Sequence, residues 1–285
     1  MIVYLYEVVA LACIFAIASM SLNLVLGRAG LFSLAHGVLL GIGAYIYGLL
    51  TTQAGVSPAV GVVAAVVGTA VLGAALAAVS VHLDEEQFAV TTLAFNLLVV
   101  IVLTNWASLT RGAYGVAQIP RLSIGDADPQ LMLLLAALLL AALTFVAFRA
   151  LAKSGFGQLL VASASDPDMV RALGGPVWSL RVRAFAIGSA GAGLAGALFA
   201  MQAGYIAPPL FELHLSVLIL AMVILGGTRS VGGAVLGAVV LIGIPEALRF
   251  AAFNAVSAGP LRQIVFGLLI IVTIYVRLHS KTSRA

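Results

Sequence analysis

Charge is what this sequence has least of. Only 8% of its 285 residues are Asp, Glu, Lys or Arg, against roughly a quarter in a soluble domain, and that shortage excludes a soluble globular enzyme. Lysine is nearly absent. Lys153 and Lys281 are the two in the chain, and neither follows the G-x-x-x-x-G pattern of a phosphate-binding loop. If ATP drives this protein, another chain binds it. There is no H-E-x-x-H, and His36, His82, His214 and His279 are scattered without ligand spacing, so neither a metal site nor a cofactor is expected. A single cysteine, Cys13, excludes an internal disulfide. The N-terminus, MIVYLYEVVA, has no Lys or Arg ahead of its apolar run. It lacks the basic start of a signal peptide and reads as a first membrane span.

What is abundant is apolar sequence. Hydrophobic residues make up 63% of the chain, and mean hydropathy is +1.19. That is about 180 residues, which at ~20 per span fills roughly nine transmembrane helices. The runs are too long and too uniform for barrel strands. The expected fold is therefore an all-α polytopic bundle forming one transmembrane domain over residues 1–285. Its spans are predicted at Val3–Leu26, Leu31–Leu50, Ala59–Val79, Val90–Leu109, Leu131–Phe148, Ala184–Gly204, His214–Gly226, Gly232–Phe250 and Leu261–Val276. The seventh run is too short to cross alone. It either extends from Pro209 or is a broken segment buried by protein.

Net charge is +4 and the pI is near 9.5, yet the basic residues punctuate apolar runs instead of clustering, so nucleic acid is not an expected partner. They set the orientation instead. Nine spans with a cytoplasmic C-terminus put the N-terminus outside. Arg28, Arg149, Lys153, Arg171, Arg181, Arg183, Arg229, Arg277, Lys281 and Arg284 then fall inside, and Arg111, Arg121, Arg249 and Arg262 outside. The acidic run Asp84-Glu85-Glu86 sits awkwardly on the inner side, but acids weigh little in this rule.

Two Gly-Arg turns hint at an internal repeat. Leu26-Gly27-Arg28-Ala29-Gly30 and Leu225-Gly226-Gly227-Thr228-Arg229 each open a glycine-rich, outward-running helix. Related halves would suit a transporter. Such turns are also common at cytoplasmic helix ends, and that simpler account is preferred.

Few side chains could carry chemistry inside the membrane. An ion-coupled carrier usually shows ionisable groups at mid-depth, whereas Glu7, Glu246 and Arg249 all lie near outer helix ends. Glu246 and Arg249 are three apart, which favours a local ion pair over a polar lining of the outer mouth. For His36 and Asn96, an interhelical hydrogen bond is the plainer role and lining of a pathway the functional one. Ala184, Gly188, Ala192 and Gly196 recur every four residues, a stripe that lets helix backbones approach closely.

The cytoplasmic connection, residues 149–183, is the most informative stretch. Ser165 or Asp166 can cap a short helix with Pro167 in its first turn. Met169, Val170, Ala172 and Leu173 give it apolar surface, and Gly174-Gly175-Pro176 ends it. Such a helix suits docking into a groove on a soluble partner. Resting on membrane lipid is the alternative, and Asp166 and Asp168 argue against an anionic lipid surface.

Taken together, these residues resemble a known family. The blocks SLNLVLG (21–27), AGLFSLAHG (29–37), GIGAY (41–45), FAVTTLAF (88–95), RGAYG (111–115) with Ile119-Pro120, and a further group carry the likeness. That group comprises Ala172-Leu173-Gly174, AGAL (195–198), GYIAP (204–208), LAMVILGG (220–227) and Pro245-Glu246. The chain resembles the membrane permease of branched-chain amino-acid ABC importers, specifically the LivM-type subunit, in the plasma (inner) membrane of a prokaryote.

The resemblance implies a permease that pairs with a second, similar permease above two ABC ATPase subunits, with an extracytoplasmic solute-binding protein delivering substrate. It implies that Asp166, Pro167, Asp168, Met169, Val170, Arg171, Ala172, Leu173 and Gly174 form the coupling helix seated in an ATPase groove. Two departures stand out. Asp166–Arg171 replaces the family's Glu-Ala-Ala-like run, and Asp84, Glu85 and Glu86 replace a usually basic loop. The same machine could carry urea, short amides or another small polar solute. An ion-coupled secondary transporter and a non-transport scaffold are the readings from other classes.

Overall fold

Backbone groups inside a bilayer must bond within their own segment, so long apolar runs fold as helices. The computed structural model describes residues 2–121, 128–250 and 267, and finds helix in every described run. In order these are α1 (Ile2–Gly27), α2 (His36–Thr52), α3 (Pro58–Ser80), α4 (Glu85–Asn105), the one-turn α5 (Ala107–Thr110), α6 (Pro129–Lys153), α7 (Gly155–Ser165), α8 (Pro167–Ala172), α9 (Val177–Ala203), α10 (Leu213–Gly226) and α11 (Val231–Phe250). Two-residue strands, β1 (Val116–Ala117) and β2 (Tyr205–Ile206), pair antiparallel.

Among the described residues six segments are long and apolar enough to cross a membrane: Val3–Gly27, Pro58–Ser80, Glu85–Asn105, Pro129–Lys153, Val177–Ala203 and Pro208–Gly226. His36–Thr52 and Val231–Ile244 are apolar but shorter. The expected ninth span, Leu261–Val276, lies outside the described residues, as does the Arg249 side chain. The span expected from Leu31 becomes helical only at His36, and α9 begins at Val177, about two turns before Ala184.

Cross-contacts define two ends of the bundle. At one end Asn23 donates from Nδ2 to the carbonyls of Gly227 and Thr228, so the two Gly-Arg turns pack on each other. There Trp178 stacks on His82 and donates to the Ala78 carbonyl, and Arg181 donates to that of Ser163. The acidic run belongs to the same end. Asp84 precedes α4, and Glu85 and Glu86 fill its first turn, where the helix dipole favours negative charge. That placement accounts for acids on an otherwise basic end. At the opposite end Tyr205 donates its hydroxyl to the Tyr114 carbonyl, beside the β1–β2 pair. Gly115 (φ +70°) allows this, because a side chain there would run into the Ile206 carbonyl.

The interior is built on α1 and α9, each 72% buried over its most apolar window, against 22% for α3, α4 and α6. The last three present Val63, Leu98 and Leu139 outward, as helices facing lipid or a partner would. Small residues set the α9 contacts. Ala184 and Ala192 are fully buried. A Cβ on Gly188 would sit 2.5 Å from Val25 Cγ2, and one on Gly196 only 2.8 Å from the Ala44 nitrogen. Gly43 of α2 faces Gly193 of α9, with 2.6 Å from its would-be Cβ to the Gly193 Cα. Association in lipid depends on this backbone proximity, since burying apolar surface gains little there.

Candidate functional site

The first feature is a break at the start of α2. After Gly30 (φ +67°) the chain runs non-helically to Ala35 inside the bundle. Side-chain oxygens replace the missing helical turn. The Leu34 N–H donates to Thr92 Oγ1 (3.1 Å), the Ala35 N–H to Ser33 Oγ (3.2 Å) and the Gly37 N–H to Ser216 Oγ (2.9 Å). Asn96 Nδ2 donates to the same Ser216 oxygen at 3.1 Å and to the Leu34 carbonyl at 3.3 Å. All four of these polar side chains are buried. Asn96 lies eleven residues into α4, about 16 Å along the helix axis, so the cluster sits well within the apolar thickness. Irregular backbone at that depth is stable only when protein satisfies it. The α2 break thus meets α10, itself interrupted at Glu212 after a 3-10 turn over Pro208–Phe211.

His36 occupies the first turn of α2, 1% exposed, edge-on to Phe185 at 6.0 Å. Among the described residues neither ring nitrogen has a hydrogen-bond partner, nor does Asn96 Oδ1. Asn96 thus bonds to Ser216 of α10 and to the Leu34 carbonyl, whereas His36 has no such side-chain bond among the described residues. Glu246 lies elsewhere, at the far end, where its carboxylate accepts from the Tyr4 hydroxyl of α1. The three residues named as pathway candidates do not form one site. Thr92 and Ser216, which sequence reasoning passed over, complete the cluster. Their only signal was a hydroxyl within an apolar helix.

The second feature is at the basic end. α6 stops at Lys153, and Ser154 caps α7 by accepting from the Gly157 N–H at 3.4 Å. α8 follows with Asp166 as its cap, accepting from the Met169 N–H at 2.8 Å, and with Pro167 in its first turn. Val170 turns inward and is buried beneath Gly175, whose φ-positive neighbour Gly174 (+78°) ends the helix. Met169 and Leu173, four apart on the outward face, are 60% and 77% exposed. Asp168 and Arg171 form an exposed ion pair at 2.6 Å, which adds little stability. The result is a short, well-capped helix anchored by one side chain and offering two apolar ones.

α8 is connected to the α2 break. Gly30 packs on α7, with 2.9 Å between its would-be Cβ and Ala164 Cβ. Two residues after Ala164 comes the Asp166 cap. A contiguous line therefore runs from α8 through α7 to Gly30, and along residues 31–35 to His36, Gly37 and the Asn96–Ser216 bonds.

Among the described residues no group of three or more His, Cys, Asp or Glu side chains could hold a metal ion. A multi-pass helical membrane protein, with a short capped helix at one end and a buried helix break between its ends, is the class these features define. Residues 4–274 match the family described as branched-chain amino acid transport system / permease component, and the chain belongs to that family. It is 30% identical over 273 residues to the high-affinity branched-chain amino acid transport system permease protein LivM of Escherichia coli K12, covering 85% of this chain and 63% of that protein. The Salmonella typhimurium LivM gives the same figures. A probable branched-chain amino acid transport permease protein LivM of Methanocaldococcus jannaschii is 25% identical over 304 residues, covering 92% of this chain and 88% of that protein. The chain thus spans under two thirds of the length of the two bacterial relatives. No solved structure matches it.

Proposed function

We propose that this chain is the membrane-spanning permease subunit of an ATP-binding-cassette importer for branched-chain or chemically related amino acids. It would pair with a second permease, with two ATPases below and a solute-binding protein outside. The observation that carries this reading is α8, a capped helix whose exposed Met169 and Leu173 have no use in the isolated chain. An apolar pair on a short helix suits a groove in a soluble partner, and the family supplies an ATPase as that partner.

On this reading the basic end is cytoplasmic and the β1–β2 end faces out. Closure of the ATPases displaces α8, and the displacement passes through α7 and Gly30 to the break before α2. The break is held by a few hydrogen bonds centred on Ser216, so α2 can be reset there without unfolding a continuous helix. The unpartnered nitrogens of His36 and Asn96 Oδ1 then find partners in the other conformation or in the passing solute. A buried polar group left unsatisfied in one state biases the equilibrium toward a state that satisfies it.

The test is reconstitution. The chain, with its permease partner, ATPases and binding protein in proteoliposomes, should take up leucine only with ATP, and the isolated chain should not hydrolyse ATP. Hydrolysis by the isolated chain, or uptake driven by an ion gradient without ATP, overturns the reading.

A further inference from the structure

We propose that the end of the bundle opposite α8 carries a receiving site for a zwitterionic α-amino acid, built from Glu7 and Arg121. The inference rests on the permease reading and adds to it a place and a chemistry. A cavity of about 360 Å³ opens there between α1, α9 and the segment after β1. It lies in the size range of small-molecule sites, ~300 Å³ and above. Glu7 and Arg121 both line it, yet among the described residues no ion pair joins them. Neutral groups bind each of them instead. The Arg121 guanidinium donates to the Gln202 carbonyl at 3.4 Å. Glu7 Oε1 accepts from Gln130 Nε2 at 3.4 Å, and the Glu7 carbonyl accepts from Gln202 Nε2 at 2.7 Å. Gln202 thus anchors both walls, and its own Oε1 is buried without a partner among the described residues.

An α-amino acid brings the complementary pair. Its carboxylate matches the fork of a guanidinium, and its ammonium matches the Glu7 carboxylate. Leu11 and Phe199 complete the cavity wall and give an aliphatic side chain an apolar surface. A solute with only one of the two charges would make only one of the two contacts. The site therefore selects for the zwitterion and tolerates different aliphatic side chains.

The experiment uses the purified permease pair in nanodiscs with a reporter thiol, Leu11→Cys in a Cys13→Ala background, and Ala203→Cys as a second reporter. Maleimide alkylation is timed with leucine, with 4-methylpentanoate (no ammonium) or with 3-methylbutylamine (no carboxylate). Leucine is expected to slow alkylation at least 5-fold. Neither analogue should do so, and the leucine effect should vanish in Glu7→Gln and Arg121→Gln. Equal protection by all three compounds, or none by leucine, overturns the site. Leucine uptake by the unmodified importer is measured in parallel. A site that fails while ATP-dependent uptake persists refutes this inference alone, whereas absent uptake of every amino acid refutes the permease reading beneath it.

Discussion

Ser216→Ala removes one oxygen that accepts two hydrogen bonds, from the Gly37 N–H at 2.9 Å and from Asn96 Nδ2 at 3.1 Å. The site is 1% exposed, so water cannot replace them. In a soluble interior each orphaned donor would cost about 1–3 kcal/mol. Measured interhelical bonds in membranes average nearer 0.6 kcal/mol, because the unfolded state in lipid also finds partners. Asn96 keeps its bond to the Leu34 carbonyl at 3.3 Å, so Gly37 bears most of the loss. The expected destabilisation is about 1–3 kcal/mol, near the sum of two membrane bonds at its lower end.

The assay is unfolding in mixed micelles titrated with dodecyl sulfate, followed by fluorescence of Trp106 and Trp178. Pairing Ser216→Ala with Asn96→Ala isolates the 3.1 Å bond, with a coupling energy of about 0.5–1.5 kcal/mol. A Ser216→Ala variant within about 0.3 kcal/mol of the parent, the usual additivity error, and strictly additive with Asn96→Ala, would refute the claim that this serine holds the helix break.

Two further outcomes follow from the packing. Gly196→Val should prevent correct folding, because even a Cβ there meets Ala44 and the Leu40 carbonyl, whereas Gly155→Ala, with open space around it, should leave folding intact. Yields of monodisperse protein compare the two. Asp166→Ala should weaken α8 by about 1 kcal/mol through loss of its cap. It should lower uptake several-fold without changing the thermal stability of the transmembrane bundle, read by a thermal-shift assay; an unchanged uptake would count against a docking role for α8.

The sequence made the helices legible because bilayer-length apolar runs leave the backbone no alternative. It also made α8 legible, since Asp166, Pro167 and Gly174 are local signals that act within a few residues. Where α2 begins was not legible. Leu31–Ala35 is as apolar as the helix after it, and it is kept out of helix by Thr92 and Ser216, far away in sequence. Glu246 was read against Arg249, whose side chain lies outside the described residues; its contact with Tyr4, 242 residues away, had no local signal. The Glu7–Arg121 cavity was hidden for the same reason, since Gln130 and Gln202 bring its walls together across four segments of the chain. Local spacing reports caps and faces, whereas polar partners inside a bundle are set by which helices meet.

The most direct test of the account is the uptake of leucine per ATP hydrolysed by the assembled importer carrying Leu173→Asp. Leu173 is 77% exposed in the isolated chain, so the variant should insert and fold. Seated in an apolar groove, a carboxylate there would cost several kcal/mol, more than the ~1.4 kcal/mol that weakens docking tenfold. The account predicts uptake at least tenfold lower, with the chain present at parental levels in the membrane. Uptake and ATP cost equal to those of the parent importer would contradict it.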